Sequence, residues 1–164
     1  MADKREQEGR DASRDVTREL PIEVRRARRS AAHASQTYAA FLKHLCERGG
    51  MSPAVAERAA VSVLCAVEQR ISRGETRDLE AQLPRKLSEL LHRCERHEAA
   101  MPGDFGREAL LEHVGSDLSL HPDAVAPVVR AVLNAVRDQI TEGESEDVMD
   151  QLPEDLRELW RRPS

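Results

Sequence analysis

The chain has 164 residues, of which 34% are charged and only 2% aromatic, and it carries a net charge of −5. Its core must be aliphatic and alanine-rich, which suits close helix packing and disfavours β-structure. No apolar run approaches the ~18 residues of a membrane-spanning helix, and the N-terminus lacks an apolar signal region, so neither export nor membrane insertion is expected. Three cysteines (Cys46, Cys65, Cys94) form an odd set without framework spacing, which points to a reduced, cytoplasmic setting. The charge is unevenly spread. Residues 1–35 carry nine basic and seven acidic groups, residues 36–99 ten and nine, and residues 100–164 six and fourteen, so the last third is strongly acidic.

In chain order, residues 1–20 are charged and nearly free of apolar side chains, and they read as a disordered tail that cannot offset its own ordering entropy. Pro21 opens an Arg- and Ala-rich stretch over 21–35, a helical extension that can fuse to the next helix. Tyr38, Phe41, Leu42 and Leu45 then share one helix face, ending at Gly49-Gly50. Ser52-Pro53 reads as an N-cap with proline at the first helical position. The helix it starts is apolar nearly all round from Ala59 to Val67 and belongs at the centre of a bundle. Gly74 reads as its stop, with Thr76 as the cap of a short helix. Pro84 opens another helix, with Leu87, Leu90 and Leu91 on one face.

The segment from His97 to Gly103 reads as a linker. Asp104 can cap the next helix, whose Leu110, Leu111 and Val114 face inward. His121-Pro122 opens a second central helix carrying Val125, Val129, Val132, Leu133 and Val136, with a kink or late start expected at Pro127. Gly143, Ser145 and Pro153 repeat the stop, cap and restart signals. The recurrence is general: shifted by 69 residues, 38–93 aligns with 107–162 without a gap, and 19 of the 56 pairs are identical. The chain therefore reads as all-α, with two tandem pseudo-symmetric helical repeats, 36–99 and 100–164, packed as one bundle.

The most specific repeated text is Gly-Glu-x-x-Asp followed by Gln-Leu-Pro, at Gly74–Pro84 and Gly143–Pro153. With the Phe-Leu face before it and Leu-x-x-Leu after it, this pattern resembles the bacterial domain-of-unknown-function family 2267 over about residues 36–162. The resemblance implies an all-helical bacterial domain of two similar halves. It implies no catalytic residue, because that family has no assigned activity.

Candidate chemistry is sparse. Each residue of Gln-Leu-Pro has a local folding role, since proline forces the preceding Leu83 or Leu152 into extended geometry and restarts a helix. Glu75, Asp78, Glu144 and Asp147 suit the dipole of a helix start. His92, Cys94 and His97 are offset by 2 and 5 residues, so they do not converge on one helix face, and no metal site is assigned. The acidic stretch Glu142–Asp150 lacks the spacing of a calcium loop. His44 and His113 recur at matched positions, read as boundary histidines or, more sharply, as a paired pH-sensitive site. No phosphate loop, G-x-S-x-G or HExxH is present, so no catalytic residue and no cofactor is assigned.

Arg25, Arg26, Arg28 and Arg29 form the one basic cluster, able to contact phosphates or a partner, although interleaved Glu19 and Glu23 and the lack of aromatics argue against a dedicated nucleic-acid surface. The expected protein is a non-catalytic interaction or regulatory module that binds a protein partner through a groove between helices. Nucleic-acid association through the arginines is the alternative, with metal binding or enzymatic activity third.

Overall fold

The computed structural model describes residues 20–93 and 104–161, and within 29–36 the backbone alone. Residues 1–19 of the expected disordered tail, the 97–103 linker and Cys94 lie outside the described residues, as does the side chain of Arg29. The described residues form eight helices and no strand: α1 (Ile22–Gly49), α2 (Pro53–Glu68), α3 (Arg73–Gln82), α4 (Arg85–His92), α5 (Arg107–Leu118), α6 (Pro122–Gln139), α7 (Glu142–Gln151) and α8 (Glu154–Trp160). The all-α class is thus the observed one. No single helix is long and apolar enough to cross a membrane.

The chain divides into two units, 1–34 and 35–164. The described part of the first is helical from Ile22, and its residues 21–28 are exposed, the apolar Ile22 and Val24 among them. The second unit holds the core. In it, Tyr38, Phe41 and Leu45 are buried on one face of the helix that ends at Gly49. Gly50 follows with φ +61, the left-handed conformation that glycine adopts without penalty.

Ser52 and Pro53 start α2 as their types dictate, with Ser52 Oγ accepting from Val55 N. Ten of its sixteen residues are buried, so α2 meets neighbours on most sides. It packs against α4, α5 and α6, and α6 in turn packs against α5 and α8. Leu64 and Leu133, matched by the 69-residue shift, are both buried in this centre. His121 caps α6 through Nδ1, which accepts from Asp123 N at 3.3 Å. The helix starts at Pro122 and not late. Pro127 sits inside it, where its missing N–H forgoes one bond to the first turn.

The two Gln-Leu-Pro corners behave as their chemistry requires. Leu83 and Leu152 are extended, at ψ 158 and 145, and buried, and α4 and α8 begin right after the prolines. Arg157 donates to the carbonyls of Leu152 and Asp150, and Ser88 to that of Glu80, tying each last helix back to the one before it.

Three sequence expectations are corrected. Gly74 and Gly143 do not stop the central helices; they lie in the first turns of α3 and α7, and neither has positive φ. The caps are Ser72 and Thr141, not Thr76 and Ser145. Ser72 Oγ accepts from Glu75 N at 3.1 Å and Thr141 Oγ1 from Glu144 N at 3.2 Å. A glycine next to a capping hydroxyl belongs to the start of the following helix, because the cap already ends the preceding chain direction. Asp104 does not cap α5 either. Its N-cap is Gly106, and the free Arg107 N–H is taken by Asp155 Oδ2 of α8 at 2.8 Å. That carboxylate lies so close to Gly106 that a side chain there would displace Asp155 from the Arg107 N–H.

Candidate functional site

The repeated Glu and Gln meet where α3 packs against α7. In each helix a hydroxyl cap stands three residues before a glutamate, Ser72 before Glu75 and Thr141 before Glu144, which is the sequence of a capping box. In an ordinary capping box the glutamate turns back to the N–H of the cap residue. Here that donor is engaged from the other helix. Gln151 Oε1 accepts from Ser72 N at 2.6 Å, and Gln82 Oε1 accepts from Thr141 N at 2.8 Å. The two bonds are reciprocal and span 79 and 59 residues. They leave both glutamates free to point into the junction.

Glu75 and Glu144 are each more than nine-tenths buried. Gln151 Nε2 donates to Glu75 Oε2 at 3.4 Å, while Glu75 Oε1 and Glu144 Oε1 meet no N–H or hydroxyl donor. Carboxylate oxygens of Glu75, Glu144 and the exposed Asp147 lie within 4.8 Å of one another. Burial, then the hydrogen bond and charge of Glu75, and then the charges of Asp78 and Asp147 push the Glu144 carboxyl up to about 7. The charged groups acting on Glu144 are thus all carboxylates, drawn from both helices. Next to it, Ser145 is buried and its Oγ accepts from the indole Nε1 of Trp160 at 3.0 Å, which ties the junction to the core.

The histidines singled out from the sequence are not brought together. His44 Nε2 lies 3.1 Å from Asp138 Oδ2 in a groove of about 370 Å³ between α1 and α6. His113 Nε2 lies 3.4 Å from Asp117 Oδ2, in a groove of about 460 Å³ between α2 and α5. Asp117 Oδ2 also accepts from Ser62 Oγ at 2.8 Å. Serine, aspartate and histidine meet here in an order unlike that of an acyl-transfer triad, because the carboxylate sits between the hydroxyl and the imidazole. Val61, Leu118 and the thiol of Cys65 also line this groove, with the charged Glu57 and Arg58.

Arg25, Arg26 and Arg28 are exposed on α1. The carboxylate junction itself was missed from sequence as a meeting point. Its signal was present, because Glu75, Asp78 and Gln82 are all matched in the second half. Reading each residue only for its local role hid the fact that the two copies face each other.

These features define an all-α protein whose two sequence-related halves meet through a central apolar helix pair and a carboxylate junction. The chain belongs to the family of uncharacterized conserved proteins DUF2267, which matches residues 38–159. No curated protein matches it.

Proposed function

We propose that this protein is a non-catalytic binding module built of two pseudo-symmetric helical repeats, whose docking face for a protein partner is the groove between α2 and α5. One observation carries the reading: a 460 Å³ groove in which apolar Val61 and Leu118 flank the convergent polar set Ser62, Asp117 and His113. Apolar walls with a few placed polar groups are what a partner's side chain requires for affinity and orientation together. On this reading the protein works in the reduced cytoplasm of a bacterium, and Cys65 stays a thiol. The test is affinity capture from the native host with the wild-type chain and with Val61→Arg, after circular dichroism has shown that the variant folds. A partner captured by the wild type and lost with the variant supports the groove. The same proteins captured by both would sink it.

A second reading rests on the exposed Arg25, Arg26 and Arg28, which share one short helical stretch and could contact phosphates. A mobility shift of DNA or RNA that weakens with salt and vanishes when the three arginines become glutamate would favour it over the groove.

A further inference from the structure

We propose that the α3–α7 junction is a divalent-cation site, with Glu75, Glu144 and Asp147 as its carboxylate ligands. The argument begins with what the two glutamates are not doing. In a capping box the glutamate oxygen satisfies the cap residue's N–H. Gln151 and Gln82 have taken over that duty reciprocally, so neither glutamate is needed to close its own helix start.

Both glutamates are nevertheless buried beyond nine-tenths, and each keeps one oxygen, Glu75 Oε1 and Glu144 Oε1, that meets no N–H or hydroxyl donor, so the two carboxyls have only each other there. A buried carboxylate oxygen without a donor is unfavourable, and a pair of them facing each other is more so. The neighbouring charges worsen the imbalance, because Asp78 and Asp147 add two more carboxylates. A positive charge between the glutamates resolves all of this at once.

The spacing admits a metal ion. Three oxygens within 4.8 Å of one another surround a point no more than about 2.8 Å from each, so side-chain shifts of a few tenths of an ångström bring them to the roughly 2.3–2.6 Å of calcium, and somewhat larger ones to the roughly 2.0–2.1 Å of magnesium. An all-oxygen carboxylate donor set suits hard cations of that kind. Asp147 is exposed, so the site has a solvent-facing side through which an ion can enter and keep some of its water. An ion held there would clamp the two halves of the chain, since Glu75 belongs to one repeat of the sequence and Glu144 and Asp147 to the other.

The protein carries its own reporter. Trp160 is the sole tryptophan, and its indole bonds Ser145, the residue next to Glu144. The full-length chain, stripped with EDTA, is titrated separately with Mn²⁺, Ca²⁺ and Mg²⁺ while Trp160 fluorescence and the thermal midpoint are followed. For at least one cation, a saturable fluorescence change at one ion per chain and a raised midpoint are expected. Asp147→Asn, a change at the exposed ligand that leaves the buried pair intact, should weaken that affinity about tenfold or more. Glu144→Gln should do the same, with folding checked by circular dichroism. The proposal is overturned if millimolar Mn²⁺, Ca²⁺ and Mg²⁺ all leave both signals unchanged, or if Asp147→Asn binds as the wild type does. A midpoint that responds to pH near 7 but to no cation would also overturn it, and would assign the positive charge to a proton shared by the two glutamates.

Discussion

The α2–α6 contact and the α3–α7 contact are written by the same repeated segment, yet they are made of opposite materials. The first is aliphatic, with Val63, Leu64, Val132 and Leu133 all buried. Its strength grows with area and tolerates many partners of similar shape. The second is polar, with two glutamines capping across to the opposite helix and two glutamates left facing each other. Its geometry admits little substitution, because each glutamine must meet one particular N–H. The contrast teaches a division of labour: the apolar pair holds the halves together, and the polar pair fixes which residues meet and gathers carboxylates from both helices.

The largest expected effect comes from separating the two regions altogether. Residues 36–99 expressed alone should fail to unfold cooperatively as a monomer, since α2 loses the covering of α5 and α6. A monomeric fragment with a sharp urea transition would show that the halves are independent and that the central pair is dispensable. Next, Leu64→Ala or Leu133→Ala in the full chain should each cost about 2–5 kcal/mol, because both side chains are buried at the centre. A loss below about 0.5 kcal/mol by urea denaturation, the scale of a surface change, would remove that side chain from the core.

At the polar contact the expected losses are smaller. Gln82→Ala and Gln151→Ala should each cost about 0.5–1.5 kcal/mol, the range of one hydrogen bond. If the two bonds act as one interlock, the double variant should deviate from additivity, and a double-mutant cycle reads this directly. Strict additivity would make them two unrelated caps.

The finest test is pH dependence with chelator present. The Glu144 carboxyl titrates near 7 in the fold against an ordinary 4.5, so its protonated form is the one the fold prefers. Its contribution is complete below about 4.5, declines as the pH rises towards 7 and is gone above that. Stability measured across this range should therefore fall with rising pH, and Glu144→Gln should flatten the slope. An equal slope in wild type and variant would place the responsible group elsewhere.

Much of this architecture follows from short-range chemistry and was legible without coordinates. Ser52-Pro53 and His121-Pro122 start helices because a capping side chain followed by proline satisfies the first turn locally. Leu83 and Leu152 turn corners because the following proline excludes the helical conformation. The all-round apolar text of 59–67 placed α2 in the middle, and so it lies. Gly74 and Gly143 misled for the same local reason: a glycine after an apolar helix looks like a stop unless the hydroxyl two residues earlier in each half is recognised as a cap.

The sequence by itself determined the helical class, the 69-residue recurrence and the identity of the core helices, since periodicity and capping act over a few residues. Only the tertiary structure decided what the recurring glutamates and glutamines do. Within an isolated helix the donors nearest Glu75 and Glu144 would be the N–H groups of their own caps, Ser72 and Thr141. Bringing α3 against α7 places a glutamine amide on each donor first, and the displaced carboxylates are left to face one another across a contact between segments about 70 residues apart.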